Sequence, residues 1–139
     1  YNLENGTRYD EDSFRTFTDV YNSSKQIQNI VNPFAENICR SHILHLPPGG
    51  YFPPHRDQPV YKSDQKTIRI LVPLKNCNPP EMYFMYENRP LYFNHGQALF
   101  LNTNKMHALF SYRDSYMIVL NVLANEEVYE TIGKLFGSV

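Results

Sequence analysis

The sequence predicts a mainly β fold of the jelly-roll type, with one or two helices at its flanks. Three observations point there. Aromatic residues are plentiful, with 11 Tyr and 9 Phe but no Trp, and such side chains suit pleated, half-buried surfaces. The 10 prolines cut the chain into short segments. Between them, apolar runs of strand length recur at close spacing, the pattern of an antiparallel sandwich or barrel.

The chain opens with a polar arm. An acidic cluster, Asp10-Glu11-Asp12, lies among Tyr9, Phe14, Phe17 and Tyr21. It reads as a surface lead-in, with a flap over one mouth of the core as the alternative. Ser23-Ser24 offers an N-cap to a helix over Lys25–Val31, where Ile27, Ile30 and Val31 recur at helical spacing. Pro33 then limits its continuation.

Residues 38–46 read as a strand ending at the turn signal Pro47-Pro48-Gly49-Gly50. Residues 51–57 form a short extended segment and 58–66 a polar loop. Thr67–Lys75 is the clearest strand, and Pro73 near its end marks an edge or an exit. After a loop over 76–80, Met82–Tyr86 and residues 91–93 make a hairpin joined through Glu87-Asn88-Arg89-Pro90. Asn94-His95-Gly96 turns into a strand over 97–101, and residues 107–112 pair with Ser115–Leu123 around Arg113-Asp114. The end is helical: Asn125 caps, Glu126 and Glu127 occupy the first turn, and Val128, Ile132, Leu135 and Phe136 form one stripe.

At 139 residues the chain is read as one domain: an arm and short helix over 1–37, a β core over 38–123 and a C-terminal helix over 125–137. With 42% hydrophobic and 19% charged residues it is an ordinary globular composition. A formal charge of −1 gives no support for a nucleic-acid or anionic-membrane surface, so the expected partners are small molecules or a local peptide segment. Cys39 and Cys77 form no CxxC pair and read as reduced thiols of a cytoplasmic protein. No apolar run reaches the length of a membrane span. The first residue is Tyr1 rather than Met, which suggests trimming or a missing leader.

The chemistry concentrates in Gly49-Gly50-Tyr51-Phe52-Pro53-Pro54-His55-Arg56-Asp57 and in His107 far downstream. His55 and Asp57 are two apart, so an extended segment points both side chains to one face. Two imidazoles and one carboxylate on one face of a metal form the facial triad of non-haem Fe(II) oxygenases. The bland alternative is a surface His55 paired with its neighbour Asp57, with His107 a satisfied core residue.

Several stretches, in order, carry a resemblance to a known superfamily: residues 51–57, Thr67-Ile68-Arg69-Ile70-Leu71-Val72-Pro73-Leu74, Gly96-Gln97-Ala98-Leu99-Phe100, and His107. Together they resemble the Fe(II)/2-oxoglutarate-dependent dioxygenases over roughly residues 42–123. The part around His55 looks like the prolyl 4-hydroxylases, and the parts around Arg69 and between Gly96 and His107 like the aspartyl/asparaginyl β-hydroxylases. The resemblance implies a double-stranded β-helix holding iron through His55, Asp57 and His107, with 2-oxoglutarate and O₂ as co-substrates. Hydroxylation of an unactivated C–H, of an amino-acid side chain or a small molecule, would release succinate and CO₂.

The distal carboxylate of 2-oxoglutarate needs a cation. Arg69 interrupts an apolar strand and corresponds, in the β-hydroxylase-like match, to a co-substrate-binding arginine. Its alternative is a pairing with a protein carboxylate, or snorkelling from an edge. Many members of the superfamily carry a basic residue on the last strand, at a position that here is Met117. Arg113 is a second candidate, with a solvated turn residue as its plainer role. Tyr51 and Asn121 are further co-substrate candidates, through packing or a structural hydrogen bond in the plainer readings. His42 and His45 fall on opposite strand faces and cannot both reach one metal, His95 reads as an exposed turn residue, and the row Met82–Tyr86 lines either a groove or the core. Two other function classes stay open: a non-catalytic β-sandwich ligand-binding module with an aromatic face, and a metal-dependent cupin of another activity, for which the usual His-x-His is missing.

Overall fold

The computed structural model describes residues 14–57 and 66–136, together with Gly6. The acidic cluster at 10–12, Tyr9 and nearly all of the loop at 58–66 lie outside the described residues. The elements are two short helices, α1 (Asp19–Ser23) and α2 (Lys25–Val31), a 3₁₀ helix (Asn32–Asn37), eight strands and a final helix, α3 (Glu126–Phe136). The strands are β1 (His42–Leu46), β2 (Tyr51–His55), β3 (Thr67–Lys75), β4 (Met82–Tyr86), β5 (Arg89–Pro90), β6 (Leu99–Leu101), β7 (His107–Ser111) and β8 (Ser115–Leu123).

These strands make two four-stranded sheets, ordered β1-β8-β3-β6 and β2-β7-β4-β5, with antiparallel pairing. The chain changes sheet at every step except β4 to β5. That strand order is a double-stranded β-helix of the jelly-roll class.

The chain divides into two compact units. The first comprises Ser41–Pro59 and Ile68–Val119, as far as these are described. Its core takes Leu46, Leu71, Leu101, Met117 and Val119 from one sheet and Met82, Phe84 and Leu109 from the other. Burial alternates along β7, with His107, Leu109 and Ser111 inward, the period-two signature of a strand with one face in the core. The turn into β2 follows from its residues: Gly50 N–H donates to the Pro47 carbonyl at 2.7 Å, and Gly49 has φ +82°. Pro at the second and Gly at the third position are what such a type II turn demands. A Cβ on Gly50 would lie 2.8 Å from the Pro47 oxygen.

The second unit comprises Tyr1–Arg40, Val60–Thr67 and Leu120–Val139, as far as these are described. Ser24 caps α2 through a bond from the Ile27 N–H, and Asn125 caps α3 through one from the Val128 N–H at 3.0 Å. Pro33 sits in the first turn of the 3₁₀ helix, where its missing N–H costs nothing, so the chain tightens there rather than stopping. No helix among the described residues is long and apolar enough to cross a membrane.

Four expectations change. β7 and β8 do not pair with each other across Arg113-Asp114: β7 lies between β2 and β4, and β8 lies in the other sheet between β1 and β3. Residues 38–41 are not part of β1; only Ile38 makes an isolated bridge, to Val122. α1 arises in what reads as an irregular arm. The hairpin turns through two residues, Glu87 and Asn88, both with positive φ, so its return strand is Arg89–Pro90 and not residues 91–93. There the Asn78 side chain takes the place of a partner strand, accepting from the Phe93 N–H at 2.7 Å and donating to the Phe93 carbonyl at 2.8 Å.

Candidate metal centre

β2 pairs with β7 so that His55 stands directly across from His107. β2 is an edge strand, which tolerates the two N–H groups lost at Pro53 and Pro54. Its register shifts between Phe52 and His55: three steps on β2 match two on β7, where the partners are Leu109 and His107. This bulge reverses the alternation, placing Phe52 and His55 over the inward residues of β7. Asp57 follows just past the strand, its N–H bonded to the Thr103 carbonyl at 2.9 Å.

The three donors converge. Asp57 Oδ1 lies 3.4 Å from His55 Nε2 and 3.6 Å from His107 Nε2. One ligand-capable atom from each of the three residues lies within 4.8 Å of the others. Donors bound at ~2.1 Å to one first-row ion are separated by roughly 3.0–3.5 Å, so the two spacings to Asp57 need little or no contraction. Both rings are held from behind: His55 Nδ1 is 2.6 Å from the Pro53 carbonyl and His107 Nδ1 is 2.9 Å from the Lys105 carbonyl. A carbonyl only accepts, so each neutral ring carries its proton on Nδ1 and turns the Nε2 lone pair inward. His107 is 4% exposed and its ring stacks with Phe84 at 6.2 Å, while His55 is half-buried.

Arg69 reaches this cluster from β3. Its Nη1 lies 2.6 Å from Asp57 Oδ2, so of the two roles open to Arg69 the structure displays the pairing with a protein carboxylate. That oxygen is shielded from solvent yet receives no aligned hydrogen bond from a described residue. The Arg69–Asp57 contact is therefore a close ion pair without hydrogen-bond alignment. A half-buried carboxylate whose Oδ1 faces the two imidazole Nε2 atoms, with Arg69 at its other oxygen, is a donor set that fits a divalent cation.

The cluster opens into a cavity of about 210 Å³. This is below the roughly 300–1,000 Å³ of drug-sized pockets, so it suits a molecule of few atoms. Its polar lining is His42, His55, Asp57, Arg69 and His107; the rest is apolar, including Phe52, Leu71, Phe84, Leu109, Met117 and Val119.

Tyr51, Arg113 and Asn121 do not line it. The bulge leaves Tyr51 on the outer face, 58% exposed and edge-on to Phe110 at 6.3 Å. Arg113 is an exposed residue of the β7–β8 turn. Asn121 donates through Nδ2 to the Arg40 carbonyl at 2.6 Å. His45 turns away and pairs with Asp114 at 2.9 Å, His95 is exposed in its turn, and Met82 and Phe84 are core residues. His42 also lines the cavity, although it is not one of the three converging donors. Its two-residue spacing from Leu44, on one strand face, is the signal that carries it there. The two carbonyls behind the imidazoles each belong to the residue two before the histidine, a backbone feature that no side-chain pattern reveals.

No protein-family model and no curated protein matches the sequence. Among solved structures, the chain is similar to a prolyl-4-hydroxylase from Pseudomonas putida (12% identity, TM-score 0.47, covering 72% of this chain and 60% of that one). It is similar to a predicted oxalate decarboxylase from Thermotoga maritima (15% identity, TM-score 0.46, covering 67% and 73%). A third is the Cnp3 cupin domain of Schizosaccharomyces pombe (7% identity, TM-score 0.45, covering 73% and 65%). The chain spans less than two thirds of the length of the first and third. Likeness of this size says nothing about chemistry, and the architecture rests on the strand order itself.

Proposed function

We propose that the chain is an Fe(II)- and 2-oxoglutarate-dependent dioxygenase, hydroxylating an unactivated C–H of an amino-acid side chain or a small molecule. The observation that carries this is the convergence of His55, Asp57 and His107 with both Nδ1 atoms tied to backbone carbonyls. When bound, Fe(II) supplies the oxidation, coupling O₂ and 2-oxoglutarate decarboxylation to hydroxylation of the substrate, with succinate and CO₂ released.

The chain's own part follows from its residues. His55 and His107 would present Nε2 to the ion, each ring oriented by the backbone carbonyl at its Nδ1. Asp57 Oδ1 is the anionic donor, and Arg69 restrains Oδ2 so that the carboxylate binds through one oxygen. A divalent ion, one carboxylate and one guanidinium leave two positive charges, which a dianionic oxoacid neutralises. Phe84, Leu109, Met117 and Val119 exclude water from the space in which that oxoacid would lie.

The test is anaerobic Fe(II) uptake followed by succinate formation from 2-oxoglutarate in air. One ion per chain and succinate release support the proposal; no metal uptake with all three donors intact contradicts it. One observation favours a second reading, a non-catalytic binding module. Tyr51, Phe110 and Tyr83 stand in register across the outer face of three strands, with Tyr51 and Tyr83 exposed. That reading requires ligand binding unchanged in a His55→Ala/Asp57→Ala variant.

A further inference from the structure

One turn serves two of the three donors. Residues 102–106 link β6 to β7, and the chain there closes a β-turn in which the Lys105 N–H donates to the Asn102 carbonyl at 3.1 Å. Two carbonyls of this segment meet the cluster. That of Thr103 accepts from the Asp57 N–H at 2.9 Å, and that of Lys105 lies 2.9 Å from His107 Nδ1. The segment is tied to the end of β4: the Tyr86 hydroxyl donates to the Asn102 carbonyl at 3.2 Å, and the Glu87 N–H donates to the Met106 carbonyl at 2.9 Å.

The side chain of Asn102 fixes the orientation of this turn. Its Oδ1 accepts the Asn104 N–H at 3.0 Å, the local bond by which asparagine favours turns. That N–H and the Thr103 carbonyl belong to one planar trans peptide unit, so they point in opposite directions. Holding the N–H at Asn102 therefore aims the carbonyl at Asp57. The competing conformation flips this central peptide, which converts a type I into a type II turn and requires positive φ at the third residue. Asn104 is that residue, and asparagine tolerates such a φ. It does not adopt it here: among the described residues, glycines aside, positive φ occurs at Asn76, Glu87 and Asn88. Flipped, the unit would turn its carbonyl away and deprive the Asp57 N–H of its acceptor.

We propose that Asn102 is a positioning residue for the candidate metal centre. Without touching the ion, it locks the peptide on which Asp57 rests and steadies the turn that delivers a carbonyl to His107. This rests on the metal-centre reading of His55, Asp57 and His107. Asn102 is exposed and does not line the cavity, so its replacement removes neither a ligand nor core packing.

The experiment measures Mn(II) affinity by calorimetry, well below the unfolding midpoint, together with hydrogen exchange of the Asp57 amide in the metal-free protein. Asn102→Ala should weaken Mn(II) binding by about tenfold, the low end for groups that orient a metal ligand. It should also speed Asp57 amide exchange by about fivefold, the equivalent of one hydrogen bond. Asn102→Ser, whose hydroxyl oxygen can accept the same N–H without adding charge, should keep the affinity within about threefold of wild type. Asn125→Ala, which removes a turn-type acceptor from the start of α3 in the other unit, controls for lost stability and should leave both readings unchanged. Wild-type affinity in Asn102→Ala, a loss without faster Asp57 exchange, or an equal loss in Asn102→Ser overturns the proposal and leaves the metal-centre reading standing. A wild type that takes up no Mn(II) overturns that reading, and the role of Asn102 with it.

Discussion

Replacing His55 by Ala removes one donor of three at little structural cost, because the ring is half-buried on an edge strand. The apo protein loses the bond from Nδ1 to the Pro53 carbonyl, worth about 1 kcal/mol. The effect on the metal is much larger. At free Mn(II) about one hundred times the dissociation constant, binding stabilises the wild type by about 2.7 kcal/mol. For a chain of this length each kcal/mol moves the midpoint by about 3–5 °C, so the wild type should melt roughly 8–13 °C higher with metal. Losing a residue that only orients a ligand weakens metal binding 10–100-fold, so losing a ligand should weaken it by at least about one hundredfold. At the same metal concentration His55→Ala then gains about 0.4 kcal/mol or less, under ~2 °C. The assay is thermal unfolding by circular dichroism with and without Mn(II). His45→Ala is the control: His45 pairs with Asp114 outside the cavity and should keep the full shift. A His55→Ala protein that melts as much higher with Mn(II) as the wild type would refute the assignment.

Other expectations follow from the same geometry. Tyr51→Ala should leave Mn(II) and 2-oxoglutarate affinities within twofold, because the ring lies on the outer face; a tenfold loss in calorimetry would put it in the site. Asn125→Ala removes the side-chain acceptor for the Val128 N–H and should cost about 1 kcal/mol in urea unfolding, with metal affinity unchanged. Met82→Ala, at a fully buried core position, should cost about 2–5 kcal/mol in the same measurement. Burial pushes the Cys77 thiol above its ordinary value of 9.0, with backbone hydrogen bonds at Leu74, Lys75 and Tyr116 acting less strongly in the other direction. The native state therefore holds this proton more tightly than the unfolded chain. The stability is complete below the ordinary thiol range and falls as pH rises through and beyond it; a Cys77→Ala protein should show a shallower decline between pH 8 and 10.

Local chemistry explains what the sequence made legible. Ser24 and Asn125 announce their helices because a side-chain acceptor just before an apolar stripe has one good use. Pro48 and Gly49 announce their turn because few residues tolerate its angles. The approach of His55, Asp57 and His107 was legible to the extent that two-residue spacing and an inward strand position are sequence properties. Tyr51 was not legible. Simple alternation puts it on the same face as His55, and the extra residue at the diproline reverses that face. The engagement of Arg69 with Asp57 is a long-range contact between β3 and the segment after β2, which no local pattern encodes. The return strand of the hairpin was misplaced because Glu87, a residue seldom found at positive φ, adopts it and shortens the turn.

The most direct measurement is a crystal structure of the Fe(II)-loaded protein with anomalous data collected at the iron edge. The account predicts one strong peak about 2.0–2.2 Å from His55 Nε2, Asp57 Oδ1 and His107 Nε2. A peak bound elsewhere on the chain, or none there while the three side chains keep their positions, would contradict it.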